Sequence, residues 1–202
     1  MTPLLSILTP AVPSRFEQLQ KLCAELQKQI RDRPVEHLVL LDNKRRSVGL
    51  KRDALLRSAR GEYVAFVDDD DMVSPYYVSA ILAHIDSAPD VITFDQLATV
   101  DGVSSTVNFR LGEDNQPFCP RGITHRAAWH VCAWRRSLAI QSRFPDTSYG
   151  EDWAFAAPLN RIAEVEVHIP QILHYYRHSS KTTEAPAPSP NVRTIDTPAT
   201  AS

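Results

Sequence analysis

Apolar residues along the chain fall into two alternating rhythms. Leu4–Thr9 is a short apolar, β-branched run stopped by Pro10, the pattern of a buried strand. Behind it Phe16, Leu19, Leu22, Cys23, Leu26 and Ile30 recur at helical spacing, with Ser14 and Glu17 placed as a capping box. Val35–Leu41 reads as a second strand ending at Asp42-Asn43, and Leu50–Ala59 as a second helix stopped by Gly61. Glu62–Val67 is a third strand, ending in Asp68-Asp69-Asp70-Asp71. A helix over Pro75–Ile85 and a strand at Val91–Phe94 continue the alternation. Strands and helices that alternate with short connections imply a parallel sheet covered on both faces, an α/β fold in which ligands gather at the carboxyl ends of the strands. Asp42 and the four-aspartate run both stand at such ends.

After residue 95 the rhythm changes. Asp101-Gly102 suits a hairpin turn between Leu97–Val100 and Val103–Arg110, and Gly112–Gly122 is a polar loop. A helix is expected over Tyr149–Ala163, bent or interrupted near Pro158, with extended segments at Val165–Ile169 and Ile172–Tyr176. This half is expected to carry acceptor recognition or closure of the site. Glu184–Ser202 is rich in Pro, Ala, Thr and Ser and has almost no large apolar side chain. Such a segment buries too little surface to offset ordering, about 1–2 kcal/mol per residue, so it reads as a flexible tail. Residues 1–183 then form one domain without internal repeats.

Composition narrows the class by exclusion. Lys plus Arg number 22 against 24 Asp plus Glu, a formal charge of −2, so no global field recruits nucleic acid or an acidic membrane. Apolar runs such as Leu38–Leu41 and Val64–Val67 fall far short of the roughly 18 residues of a membrane helix. The proline-interrupted N-terminus lacks a basic leader and reads as a first strand rather than a secretory signal. Cys23, Cys119 and Cys132 are odd in number and lack C-x-x-C spacing, which argues against a disulfide framework or a zinc knuckle and suits a reducing cytoplasm.

Asp68–Asp71 is the strongest local signal for chemistry. Adjacent carboxylates about 4 Å apart repel by up to about 4 kcal/mol per pair at an effective dielectric of 20, so such a cluster favours a cation. Hard oxygen ligands select Mg²⁺ or Mn²⁺. The plainer alternative is that some of these residues solvate the turn and cap the helix that follows Ser74-Pro75. Met72 and Val73, which stand where a glycine turn and polar ligands belong, argue against a calcium loop. Farther on, His125 and His130 flank Trp129 beside Arg126, Trp134, Arg135 and Arg136. These residues either clamp a sugar or nucleic acid or form core aromatics with a solvated basic rim. His174 and His178 are four apart, but on a strand that spacing separates them by about 13 Å, too far for a shared metal.

The stretch from Gly49-Leu50-Lys51-Arg52-Asp53-Ala54 through Ala59-Arg60-Gly61-Glu62-Tyr63 to Asp68-Asp69-Asp70-Asp71 resembles the nucleotide-sugar half of family 2 glycosyltransferases of the GT-A fold. Phe144 followed by Tyr149-Gly150-Glu151-Asp152-Trp153 is similar to that family's Gly-Phe…Glu-Asp segment, and Tyr176-Arg177-His178 to its closing Tyr-Arg-x-His motif. The resemblance covers residues 4–183 in order and separation. It implies a Rossmann-like central, mostly parallel sheet flanked by helices, with a smaller mixed or antiparallel acceptor-side region. Residues 1–95 would be the nucleotide-sugar half and 96–183 the acceptor half.

The resemblance also implies roles. Thr9, Pro10 and Arg15 would form the first nucleotide-binding loop, Asp42 would accept a hydrogen bond from the base, and Arg52 would help hold base and phosphate. Asp68 would contact ribose or metal, Asp69 would belong to the nucleotide-sugar set, and Asp70 would be the principal ligand of Mn²⁺ or Mg²⁺, with His178 a further metal or diphosphate contact. Asp152 would be the general base that deprotonates the acceptor hydroxyl, its pKa raised by burial beside Trp153 and by Glu151. The alternative for Glu151 and Asp152 is complementing a helix N-terminus. Glu151, Trp153, Trp129 and Arg177 would line the acceptor side.

The second strand departs from the family by ending Asp42-Asn43-Lys44-Arg45-Arg46 in place of Asp-Asp-Gly-Ser, which adds positive charge near phosphate. Without the membrane segments of processive synthases, the expectation is one sugar passed from a nucleoside-diphosphate sugar, a UDP-sugar first, to a hydroxyl acceptor. Competing readings are a phage-like DNA glycosyltransferase holding the backbone through Lys44–Arg46 and Arg126–Arg136, a nucleotidyltransferase, and a non-catalytic nucleotide-binding module.

Overall fold

The computed structural model describes residues 2–178, so the segment read as a tail lies outside the described residues. The strands are β1 (Leu5–Ala11), β2 (Val35–Leu41), β3 (Tyr63–Phe66), β4 (Met72–Val73), β5 (Val91–Val100), β6 (Val103–Arg110), β7 (Ile123–Ala127), β8 (Ala133–Arg135) and β9 (Glu166–His178). The helices are α1 (Phe16–Ile30), α2 (Val48–Ser58), α3 (Tyr77–Ile85), the short α4 (Arg136–Ala139) and α5 (Glu151–Ile162). The fold is α/β, with a central sheet flanked by helices. Strand order is β2-β1-β3-β8-β5-β6-β7, with β9 pairing both β4 and β5. The β2-β1-β3 block is parallel, as are β5 with β9 and β6 with β7, whereas β8 runs antiparallel between β3 and β5.

Each face of the sheet has its own core. On one, Leu22 and Leu26 of α1 and Tyr77, Val78, Ile81 and Ile85 of α3 pack on Leu5, Ile7, Tyr63 and Phe94. On the other, Leu55 and Leu56 of α2 meet Phe155, Ala156 and Leu159 of α5 over Leu8, Phe66 and Trp134. Phe144 stacks on Phe155 at 4.1 Å, and Phe66 meets its edge at 5.1 Å. This aromatic triad fixes α5 to the strand that leads into the aspartates.

Several boundaries differ from the sequence-based expectation. Pro10 does not stop β1, which continues to Ala11. The Leu8 carbonyl accepts from the Val67 N–H, so the peptide groups at 8 and 10 face β3, and β3 ends at Phe66. At position 10 the missing N–H therefore costs no ladder bond. Ser14 does not cap α1. It lies in a 3₁₀ turn, Pro13–Arg15, and Arg15 occupies the cap position without a side-chain bond to the backbone. α2 begins at Val48, because Ser47 accepts the Leu50 N–H through its hydroxyl at 3.1 Å. α5 passes Pro158 uninterrupted. Val91–Val100 is one strand, and so is Glu166–His178, their pairing carrying register shifts at Asp95.

Gly49 seats α2 against the chain leading into α5. Its N–H donates to the Thr147 carbonyl at 2.9 Å, and a Cβ there would lie 1.9 Å from the Pro145 oxygen. Neither neighbour is a flexible side-chain tip, so Gly49→Ala is expected to lower stability by about 1–3 kcal/mol. Urea unfolding checks this, and an unchanged midpoint would show that the Pro145–Thr147 segment yields freely.

Candidate active site

The aspartate run forms a turn immediately after β3, closed by the Asp71 N–H on the Asp68 carbonyl at 3.1 Å. Its four carboxylates face different partners. Asp68 accepts from Arg52 Nη2 at 2.8 Å through Oδ2, while its Oδ1 is buried without a hydrogen-bond partner. Asp69 is buried and binds the loop after β1, accepting the Val12 N–H at 2.8 Å and Arg15 Nη1 at 3.1 Å. Asp70 is the most open of the four, one third exposed, against 27% for the Asp68 side chain, with Arg15 Nη1 at 3.1 Å. Burial pushes its carboxyl up to about 6; Arg15 opposes the shift, and Asp68 and Asp69 add to it. Asp71 points inward to His174, whose Nε2 lies 3.4 Å away, and accepts the backbone N–H of Arg177. Burial and the charges of Asp68 and Asp70 push it well above the usual carboxylate range.

Behind the turn lies Arg52 of α2, 3% exposed. Besides Asp68 it faces Glu151 of α5, Nε to Oε1 at 3.5 Å, and its guanidinium sits 5.5 Å from the centre of the Phe66 ring. Burial works against its charge, but Asp68, Glu151 and Asp152 more than offset that. Burial likewise pushes Glu151 up, with Arg52 pulling the other way. One buried cation therefore joins the strand end to the first turn of α5.

Asp152 follows in that turn. Its Oδ2 accepts the Trp129 indole N–H at 3.1 Å and its Oδ1 the Trp153 backbone N–H at 2.7 Å. The two indoles stack at 5.0 Å and 15° from parallel, with the Arg126 guanidinium 5.7 Å from the Trp129 ring centre. Both carboxylate oxygens are thus oriented by donors, next to a half-open aromatic surface.

Two orphaned carboxylate oxygens, Asp68 Oδ1 and Asp71 Oδ1, in a turn whose acids repel one another fit a hard cation. Among the described residues no three His, Cys, Asp or Glu side chains converge on one point.

Residues 17–141 match the family model described as glycosyl transferase family 2. The chain belongs to glycosyl transferase family 2. Solved structures agree on the fold of this family 2 chain. S. aureus TarS superposes with a TM-score of 0.60 at 16% identity, covering 86% of this chain and 36% of that one. TarS 1-349 in complex with UDP-GlcNAc gives 0.59 at 15% identity, covering 86% and 58%, and its complex with UDP gives 0.59 at 15%, covering 86% and 60%. The chain therefore spans between 36% and 60% of these structures' length. No curated protein matches it.

In this family 2 chain the sequence-derived residues divide into two groups. Arg15, Arg52, Asp68, Asp69, Asp70, Glu151 and Asp152 converge, together with Trp129 and Trp153. Thr9 and Pro10 do not form a loop: both are buried in β1, and the Thr9 hydroxyl bonds His37 Nε2 at 2.9 Å. Arg52 is buried, with Nη2 on Asp68, and its Nε and Nη1 have no hydrogen-bond partner among the described residues. Asp42 directly follows β2, with Oδ1 unpartnered in hydrogen bonding and Lys51 Nζ 3.9 Å away. His178 lies against Tyr176 at 6.5 Å, and among the described residues no ion pair joins it to a carboxylate. The histidine that reaches the acidic turn is His174, because β9 pairs it directly with Val73.

Arg135 and Arg136, expected to face phosphates, bind the Pro89 and Gly61 carbonyls at the opposite end of β3. Trp134 is core, with its indole N–H on the Trp129 carbonyl. Lys51 is a further residue of the site, and its place beside Arg52 in the motif is the sequence signal that points to it. Buried at 3%, it donates to the Ala11 carbonyl at 3.3 Å.

Proposed function

We propose that the chain is a metal-dependent inverting glycosyltransferase that passes one sugar from a nucleoside-diphosphate sugar, a UDP-sugar first, to a hydroxyl acceptor. The observation that carries the reading is the pairing of two acidic centres through Arg52: an acidic turn with orphaned oxygens, and a separately oriented Asp152. The UDP and UDP-GlcNAc complexes of TarS support the donor class at the level of a shared fold. Asp70 and Asp68 would hold Mn²⁺ or Mg²⁺, which when bound offsets the charge developing on the departing diphosphate. Asp42 would accept from the base, and Asp69 keeps the first loop in place.

Asp152, aimed by Trp129 and Trp153, takes the proton of the acceptor hydroxyl. The acceptor oxygen bonds to the anomeric carbon as the bond from that carbon to the diphosphate oxygen breaks on the other face, which inverts the configuration and releases the nucleoside diphosphate. Trp129, Trp153 and Arg177 border the acceptor side, within a unit whose halves are 1–95 and 96–183. Among the described residues no helix is long and apolar enough to cross a membrane, and the free thiols Cys23, Cys119 and Cys132 suit a reducing, cytoplasmic setting.

A thermal-shift panel of UDP, GDP, CDP and their sugars, with and without Mn²⁺, tests the reading. At a hundredfold excess over Kd the favoured nucleotide with Mn²⁺ is expected to raise Tm by about 5–10 °C. Asp70→Ala is expected to abolish the metal-dependent part. If every nucleotide leaves Tm unchanged, the donor assignment fails.

A further inference from the structure

Arg15 occupies a position that the proposed chemistry reserves for other cations. Its Nη1 lies 3.1 Å from Asp69 Oδ1 and 3.1 Å from Asp70 Oδ2. The two contacts are unequal. Asp69 is 3% exposed and also accepts the Val12 N–H, so it is fixed in place. Asp70 and Arg15 are each one third exposed, and their contact faces the open side of the turn. The guanidinium is therefore anchored on a buried carboxylate and extends over the accessible one. A divalent cation arriving at Asp70 meets a positive charge already seated there, and the two repel.

We propose that Arg15 is a built-in counter-ion of the acidic turn: it holds Asp70 while the site lacks its donor, and transfers to the donor's diphosphate when metal and nucleotide arrive together. Asp69 is the pivot that keeps the arginine beside the site through the exchange. The 3₁₀ turn Pro13–Arg15 carries the side chain at the N-terminal end of α1. The exchange makes metal and nucleotide bind better together than separately, because the nucleotide removes the competitor from Asp70.

This inference rests on the donor reading for its second half only, and two measurements separate the halves. Mn²⁺ alone, followed by the EPR signal of the free ion, is expected to bind Arg15→Gln about two- to fivefold more tightly than wild type, the range for releasing a partly exposed ion pair. UDP titrated in saturating Mn²⁺ is expected to bind the same variant about tenfold more weakly, having lost a charge-assisted partner.

Opposite signs are the signature, since an arginine that merely shapes the loop weakens both. Arg15→Gln binding Mn²⁺ no more tightly than wild type overturns the counter-ion, and unchanged UDP affinity overturns the transfer. If wild type binds Mn²⁺ but no nucleotide, the donor reading has failed while the Mn²⁺ arm still judges Arg15. Should Arg15→Gln not fold, the Arg15 Nε–Hε NMR signal of the wild-type protein decides: it is expected to move on adding Mg²⁺ and again on adding UDP, and a signal that stays put through both additions refutes the exchange.

Discussion

Asp152→Asn is expected to lower sugar transfer by about a thousandfold while leaving UDP affinity within about twofold, because a positioned general base contributes roughly 10²–10⁴ and the proposed nucleotide site lies across Arg52 from it. Asn keeps the size of Asp and one acceptor oxygen but has no basicity to take up the acceptor proton. Two N–H groups, from the Trp129 indole and the Trp153 backbone, converge on the carboxylate. Asn can satisfy only one, so a stability loss of about 1 kcal/mol should accompany the loss of turnover. Product formation, UDP calorimetry and thermal unfolding on the same preparation separate these effects. Full turnover in the variant would favour nucleotidyl transfer, which has no use for a base at this position.

Arg52→Leu should cost about 3–5 kcal/mol of stability at neutral pH, since removing one member of a buried ionic group leaves the others uncompensated. Asp68 and Glu151, at 27% and 7% exposure, would be left without their cation. The loss should depend on pH. Glu151 is already pushed up by burial, and Arg52 is the first of the influences that hold it down. Without the arginine its folded pKa rises further above the unfolded value, so the folded state binds the extra proton. Stability then falls as pH rises through that raised value and recovers as pH is lowered toward the ordinary carboxylate range. Urea titrations at pH 7 and pH 5 should show the variant regaining part of its deficit at the lower pH. A deficit below about 1 kcal/mol at both would mean that Arg52 is not holding the two acidic centres together.

The first half of the chain was legible because its signals are local. Alternating strand and helix periods, the Gly61 stop and four aspartates at a strand end need only short windows. β8 was not legible: three residues, Ala133–Arg135, carry no periodicity, and their insertion between β3 and β5 is decided by tertiary packing alone. Within the site, residue types at motif positions could be read, but their partners could not. Arg15 meets Asp69 across 54 positions, and Trp129 meets Asp152 across 23. For Arg52, residue type alone did not show its contacts with Asp68 and Glu151, which link the two acidic centres. That His174 stands beside Asp71 is a register effect, fixed by which residues of β9 pair with β4.

β9 has a consequence for how this protein comes into being. It closes the sheet on β5 and reaches β4, so Asp71 finds its partners, His174 and the Arg177 backbone, only in the last described strand. The Gln96 amide that fixes the His174 ring is itself 78 positions earlier. Pairings this remote in the chain form late, after loop-closure entropy has been overcome. A nascent chain emerging from the ribosome can therefore build β1, β2 and β3 while its cluster of negative charge stays open to water. The buried partners of Asp71 therefore arrive together with β9, and until that strand pairs the acidic turn stands without them.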